Sequence, residues 1–351
     1  MAINKINIEH FIEMASQHPV FDVRSPSEYI HAHYPNAFSL PIFTDEERKI
    51  VGTAYKQQGK QPAIKIGLDF FGIKMKGIIV EVEAVFKKKK SNSNVVLVHC
   101  WRGGMRSAGV AWLLDLYGYE VYLLEGGYKN YRNWVLSQFD KPYQIKVLGG
   151  YTGSSKTELL KEIENSGESI IDLEGLANHK GSAFGGIGQL PQPSQEMFEN
   201  KLANSIYSIT SIEISKSFWV EDESQRIGII NIPNSLWKTI RNAPLFFIDI
   251  PFEERLEFII KNYGVLDKSN LINAVIRIQK RLGPLETKTT VNFLLENNIK
   301  EAFDMLLKYY DKNYIKAMYT RENIETLLQK IPMSVIETKA NLETLQLFFK
   351  K

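Results

Sequence analysis

The stretch Val95-Val96-Leu97-Val98-His99-Cys100-Trp101-Arg102-Gly103-Gly104-Met105-Arg106-Ser107 constrains this chain more than any other. Its apolar, β-branched opening reads as a buried parallel strand, and Ala108 to Leu114 has the apolar spacing of a helix. A strand running directly into a helix is the unit from which α/β parallel sheets are built. The turn between them holds the only cysteine of the chain. Gly103-Gly104 lets the backbone curl tightly enough for successive N–H groups to converge on the sulfur, and the helix N-terminus adds its positive dipole end. Arg102 and Arg106 add positive potential. Such a loop favours the thiolate, which is the nucleophile, so Cys100 reads as a group that attacks a chalcogen or phosphorus centre and holds the anionic adduct. An inert core cysteine is the alternative. The catalytic reading requires that the sulfur is neither packed away in apolar core nor pointing opposite to the curled turn.

At 351 residues the chain is too long for one ordinary core and is expected to form two domains. With one cysteine no internal disulfide can form, so an adduct on Cys100 must pass to a substrate or an external thiol. Met1 to Ile6 lacks the apolar core of a signal peptide and no run reaches membrane-spanning length, which points to a cytoplasmic protein without a membrane partner. The net charge of +3 is too small to indicate nucleic acid by itself.

Taken in order, Ile6 to Ala15 is expected to form a short amphipathic helix, and Val20 to Arg24 a strand ending in the turn Ser25-Pro26-Ser27-Glu28. Asp22 and Arg24 are expected to pair and pin this loop near Cys100. His31 and His33 have no further His or Cys at ligand spacing and read as loop residues. Helices are expected from Pro41 toward Tyr55 and within Ala63 to Phe86, followed by a charged loop from Lys87 to Asn94 that reads as solvated surface. Val121 to Leu124 is another strand, and a helix from Lys129 to Leu136 ends a first domain over 5–138. Asp140-Lys141-Pro142-Tyr143 is the joint, and a second domain spans 143–351.

That domain opens on the strand Ile145 to Leu148, then Gly149-Gly150-Tyr151-Thr152-Gly153-Ser154-Ser155-Lys156-Thr157 and a helix. Strand, Gly-rich turn, Lys-Thr and helix is the context of a P-loop: backbone N–H groups cradle phosphate oxygens, Lys156 bridges them and Thr157 reaches a metal. The candidate phosphate ligands are Gly150, Gly153, Ser154, Ser155, Lys156 and Thr157. Ser155 stands where such loops carry their last glycine, which keeps anion binding but weakens a claim of ordinary nucleotide hydrolysis. Ser169 to Glu174 reads as a strand leading into a polar loop through Asn178 and His179. Ser217 to Ser224 reads as a strand ending in acidic residues, with Asp222 as a candidate Mg²⁺ ligand and Arg226 facing either phosphate or that acidic cluster. After a further strand, Leu245 to Pro251, the chain is expected to be largely helical, with Arg277, Lys280 and Arg281 on one helix face for nucleic-acid or diphosphate contact.

Two resemblances follow from these residues. The segment Asp22-x-Arg24-Ser25-Pro26-x-Glu28, the loop Cys100-Trp101-Arg102-Gly103-Gly104-Met105-Arg106-Ser107 and Glu125-Gly126-Gly127 resemble rhodanese-type sulfurtransferase domains, whose cysteine carries sulfur or selenium as a persulfide or perselenide. Joined to the P-loop segment, to Asp172-Leu173-Glu174-Gly175-Leu176-Ala177-Asn178-His179-Lys180-Gly181-Ser182 and to Trp219-Val220-Glu221-Asp222-Glu223-Ser224, the order of parts resembles the bacterial tRNA 2-selenouridine synthase family. The resemblance implies an α/β fold: an N-terminal rhodanese-like parallel-sheet domain, then a P-loop NTPase-like parallel-sheet domain with a helical C-terminal region. It implies tRNA as partner, with wobble 2-thiouridine S-geranylated from geranyl diphosphate and converted to 2-selenouridine by selenophosphate, and Mg²⁺ as an optional ion. By the same resemblance Cys100 carries selenium with Arg102 and Arg106 beside it, the 150–157 turn binds the diphosphate or selenophosphate, and Glu174, Asn178, His179, Arg226, Arg277, Lys280 and Arg281 are candidates for substrate or tRNA contact. A general sulfurtransferase fused to an NTP-dependent kinase-like domain, and a non-catalytic RNA-binding scaffold, are the competing readings.

Overall fold

The structure is a computed structural model that describes residues 4–89, 93–211, 213 and 215–349. It divides into two compact units, Met1–Gln138 and Phe139–Lys351.

The first unit runs β1 (Asn4–Ile6), α1 (Ile8–Ala15), β2 (Val20–Asp22), α2 (Pro26–His31), β3 (Phe38–Ser39), α3 (Asp45–Gln57), α4 (Lys60–Lys89), β4 (Val95–His99), α5 (Met105–Tyr117), β5 (Glu120–Leu124) and α6 (Gly127–Gln138). Its five strands lie parallel in the order β1-β5-β4-β2-β3. The central strand β4 is covered on both faces, which is why its sequence is a continuous apolar run, with Val96, Leu97 and Val98 wholly buried. Register places Asp22 beside His99 and Val98 beside Leu123, so the carboxyl ends of β2, β4 and β5 come together, where open parallel sheets carry their sites.

Three local expectations change. Asn4 to Ile6 adds an edge strand too short to show a period, and α1 starts at Ile8 with the Asn7 side chain as its cap. The Ser25-to-Glu28 turn is instead the start of α2, with Pro26 in its first turn, and His31 closes that helix. Lys87, Lys88 and Lys89 form the last turn of α4, where ammonium groups meet the negative end of the helix dipole. The rest of the expected loop includes Lys90 to Asn92, which lie outside the described residues, as do Met1 to Ile3.

The second unit opens with β6 (Ile145–Gly150), α7 (Lys156–Asn165), β7 (Ile170–Ile171), α8 (Leu173–Ala177), α9 (Gln195–Thr210) and β8 (Phe218–Glu221). A small hairpin, β9 (Arg226–Ile227) with β10 (Ile230–Asn231), leads to α10 (Asn234–Arg241) and β11 (Leu245–Asp249). Then come α11 (Phe252–Tyr263), α12 (Lys268–Arg277), α13 (Gln279–Leu282), α14 (Pro284–Leu295), α15 (Ile299–Met318), α16 (Ile324–Leu327), β12 (Leu328–Pro332) and α17 (Thr338–Phe349). The parallel sheet has the order β12-β11-β6-β8-β7, with β6 at its centre. That each unit is built on a parallel sheet is as the sequence led us to expect. The strand β12 is not: it sits at the sheet edge inside a largely helical region and pairs with the whole of β11, ending at Pro332, a residue that edge strands tolerate. Among the described residues no helix is long and apolar enough to cross a membrane.

Candidate active site

In the first unit Cys100 follows β4 directly, and its carbonyl accepts a hydrogen bond from the Tyr128 amide at 2.8 Å while the Trp101 carbonyl accepts one from Lys129 at 2.9 Å. The loop is thus held by the first turn of α6. Gly127 has φ 61°, and a Cβ there would stand 2.4 Å from the Cys100 carbonyl oxygen, so only glycine allows this approach. Cys100 is 3% exposed, packed on its strand side against the core, with its Sγ 3.2 Å from the Ser107 hydroxyl in the first turn of α5. The sulfur is thus buried in the core cluster, where the alternative of a core cysteine would place it, with the Ser107 hydroxyl as a polar partner, while the neighbouring Trp101 and Met105 are exposed at 36% and 50%.

Asp22 and Arg24 pair as expected, both buried, with Arg24 Nη2 2.6 Å from Asp22 Oδ2 and Nε 2.9 Å from Oδ1. Arg24 also donates to the Ala32 carbonyl at 2.7 Å and stacks 3.7 Å above the Tyr128 ring, whose own amide holds Cys100. Burial by itself would raise the Asp22 carboxyl, but its interaction with His99 and the hydrogen bonds and charge of Arg24 hold it below the usual range. Burial lowers His99 to about 4 even though Asp22 stands 3.8 Å away, so its imidazole is neutral at neutral pH.

Arg106 departs from expectation. Its Nη1 donates to Glu28 Oε2 at 2.9 Å, and the same carboxylate takes Arg48 at 2.7 Å, so the charge of Arg106 is offset before it reaches the sulfur. Burial opposes ionisation of Glu28, yet Arg106 and Arg48 together bring it down to about 2. Arg102 lies exposed on the loop. His33 stacks on Tyr29 with ring centres 3.9 Å apart and bonds the Tyr29 carbonyl at 2.8 Å, a local structural contact rather than a metal site.

In the second unit the turn from Gly150 to Thr157 carries β6 into α7. Ser155 caps α7 with φ 57° and ψ 35°, the left-handed conformation that the missing glycine would adopt without cost, and its hydroxyl lies 3.0 Å from Glu158 Oε2. Lys156 Nζ donates to the Gly150 carbonyl at 2.9 Å, and the Thr157 hydroxyl donates to Glu174 Oε2 at 3.1 Å. The turn is braced from outside by Arg255, which donates to the Thr152 carbonyl at 3.1 Å and grips Asp311 through both terminal nitrogens at 2.9 and 2.8 Å. Tyr314 accepts from the Gly150 amide at 3.3 Å and donates to Asp222 Oδ2 at 2.6 Å.

Asp222 is therefore not poised as a metal ligand. Its other oxygen pairs with the buried Arg321, leaving neither oxygen free for a cation. Among the described residues no group of three or more His, Cys, Asp or Glu is placed to hold a metal ion. Glu223, next along, is hydrogen-bonded to Glu174, and burial together with the Glu174 charge pushes it well above the usual carboxylate range. Ser155, Lys156, Thr157, Glu174, Asp222, Glu223 and Tyr314 open on one cleft of about 790 Å³. Lys180, Arg241 and Arg281 add positive charge to it, and Trp237, Phe258, Ile259, Tyr263 and Tyr310 add apolar wall.

A family model described as the tRNA 2-selenouridine synthase AAA domain matches residues 143–339, and a rhodanese-like domain model matches residues 8–133. The tRNA 2-selenouridine synthase of Nitrosomonas europaea is 36% identical over 290 residues, covering 82% of this chain and 73% of that protein. Those of Sulfurovum sp. and Pseudomonas syringae pv. syringae are each 34% identical, covering 86% and 87% of this chain and 87% and 89% of their own lengths. The chain belongs to the tRNA 2-selenouridine synthase family.

Within that family framework the candidate residues fall into two groups. Glu174 and Arg281 line the cleft with Lys156 and Thr157. Asn178 instead takes φ 51° at the end of α8 and bonds the Pro191 carbonyl at 2.9 Å, and His179 packs beside Gly186 with its titration lowered by burial and by Arg277. Arg226 donates to the Gly228 carbonyl at 2.9 Å across its hairpin and meets neither phosphate cradle nor acidic cluster. Arg277 and the pair Lys280 and Arg281 do not share one helix, because the chain breaks at Ile278 between α12 and α13. The sequence reading missed Arg255, Asp311, Tyr314, Trp237 and Arg241. Only the last two carried a local signal, an aromatic and a basic residue four apart on one helix face.

Proposed function

We propose that this chain forms 2-selenouridine in tRNA from 2-thiouridine through an S-geranyl intermediate, using geranyl diphosphate and selenophosphate. The reading is carried by one observation: a chain of this family holds a cysteine beneath a Gly-Gly loop in one unit and a Lys-Thr anion cradle at the head of a partly apolar cleft in the other. Members of the family named above are tRNA 2-selenouridine synthases at 34–36% identity over more than four-fifths of this chain.

The chemistry divides between the two sites. Lys156 and the amides at the start of α7 bind the diphosphate, and stabilise it as it leaves when the thiocarbonyl sulfur of the base attacks the allylic carbon and the C–O bond breaks. Phe258, Ile259, Tyr263 and Tyr310 offer the hydrocarbon tail an apolar wall, continued by a small pocket under Phe184, Phe303, Leu306 and Leu307. Prenylation turns a poor leaving group into a thioether sulfur that departs as the thiol. Cys100 then attacks the phosphorus of selenophosphate and the P–Se bond breaks; the freed selenide adds to the same ring carbon as the geranyl thiol leaves, and water hydrolyses the S–P bond to phosphate, with the helix α5 terminus favouring the cysteine anion.

Nucleoside mass spectrometry on 2-thiouridine tRNA, incubated with geranyl diphosphate and selenophosphate, tests the assignment. Cys100→Ala is expected to accumulate S-geranyl-2-thiouridine without 2-selenouridine, and Lys156→Ala to lose the geranylated product. Normal 2-selenouridine yield from the cysteine variant would refute the role of Cys100 in selenium transfer.

A further inference from the structure

The cleft is larger than a diphosphate requires, since pockets of about 300–1,000 Å³ accept drug-sized molecules. One corner is built differently from the apolar wall. Trp237 on α10 lines the cleft and is only partly buried, although the helix anchors itself in the core through Leu236 and Ile240, which are 2% and 1% exposed. One turn along, the Arg241 guanidinium stands 5.6 Å from the Trp237 ring centre. It is fixed by bonds to the Ala317 carbonyl at 3.3 Å and the Thr320 hydroxyl at 2.9 Å. These partners are neutral oxygens, and the nearby carboxylate of Asp222 is already taken by Arg321 and Tyr314, so the Arg241 guanidinium is left to meet a phosphate.

We propose that the Trp237–Arg241 corner seats the target pyrimidine of the RNA, which stacks on the indole while the adjoining phosphate meets Arg241. This rests on the tRNA reading above and adds to it the residues that hold the base. An enzyme acting on a nucleobase brings that base out of its stack into a pocket, and unstacked RNA bases are held on aromatic rings or guanidinium planes. A hydrocarbon tail is the poorer occupant, because it would cover a charged guanidinium without returning a hydrogen bond to it. The tail has Phe258, Ile259 and Tyr263 in the same cleft.

The test compares two anticodon stem-loop RNAs, one with 2-thiouridine at the reacting position and one abasic there, binding to the full chain by fluorescence anisotropy. Wild type is expected to prefer the base-bearing RNA by about 5- to 150-fold, the range for one base stacked on an aromatic side chain. Trp237→Ala should lose that preference while binding the abasic RNA as wild type does, and Trp237→Phe should restore most of it. Calorimetry with inorganic diphosphate reports whether the cleft is intact in each variant. If Trp237→Ala fails that control, Trp237→Phe decides, because it keeps the ring. Equal binding of both RNAs by wild type, an undiminished preference in Trp237→Ala, or no preference in an intact Trp237→Phe overturns the assignment. These outcomes need no turnover, whereas failure of the functional reading appears as absence of 2-selenouridine from the wild-type reaction.

Discussion

The Ser107 hydroxyl lies 3.2 Å from Cys100 Sγ and 3.1 Å from the Gly104 carbonyl oxygen. Its single proton can serve only one of them. With the cysteine as thiol, the S–H donates to Ser107 and the hydroxyl bonds Gly104. With the cysteine as thiolate, the hydroxyl turns to the sulfur and becomes a charge-assisted donor. Ser107→Ala is therefore expected to slow alkylation of Cys100 by iodoacetamide roughly tenfold at pH 7, the worth of one hydrogen bond to a charged group, about 1.5 kcal/mol. An unchanged rate removes Ser107 from the activation of the sulfur.

The close approach of the Gly127 backbone to the Cys100 carbonyl sets a second expectation. Alanine at this position would place a methyl carbon 2.4 Å from that oxygen and would have to hold φ 61°. We expect Gly127→Ala to destabilise the first unit by about 2–4 kcal/mol, through overpacking and left-handed strain together. Urea unfolding measures the loss. Gly118→Ala, at φ 110° but with nothing within 4 Å of its added carbon, isolates the conformational part and should cost less.

His99 makes stability depend on acidity. Its folded form takes up a proton only near pH 4, chiefly because of burial, whereas the exposed imidazole does so at 6.5. The unfolded chain thus holds more protons between these values, so stability is fully present above pH 6.5 and falls as the pH drops toward 4. The loss over that window is on the order of 3 kcal/mol. Glu28, with its folded titration near 2 against an ordinary 4.5, adds its own loss lower down, from pH 4.5 toward 2. Urea midpoints between pH 4 and 7 should slope in wild type and flatten in His99→Leu. A slope that survives the substitution assigns the effect elsewhere.

Ser155 predicts a graded series in the phosphate cradle. Glycine accepts its φ of 57° freely, serine holds it at a cost of about 1 kcal/mol, and a β-branched side chain resists it most. Inorganic diphosphate should bind Ser155→Gly at least as well as wild type and Ser155→Val at least tenfold more weakly, measured by calorimetry. Equal affinities across the series would show that the turn relaxes without using this conformation.

Much of the architecture was legible because the decisive chemistry is contiguous. Val95 to Ser107 and Ile145 to Thr157 each carry strand, turn and helix start within thirteen residues, and local patterns of that length suffice to place Cys100, Lys156 and Thr157 at the carboxyl ends of central strands. The Asp22–Arg24 pair was visible for the same reason, its partners being two residues apart. Edge strands β1 and β12 escaped notice, since a strand with one neighbour owes its form to the partner that covers it more than to its own residues. Partner choice across distance escaped it too: Arg106 meets Glu28, Asp222 meets Tyr314 and Arg321, and Trp237 and Arg241 come to share a cleft with Lys156. Charge and periodicity along a chain state what each side chain can do, whereas which oxygen or cation it meets depends on how distant segments are brought together and closed off from water.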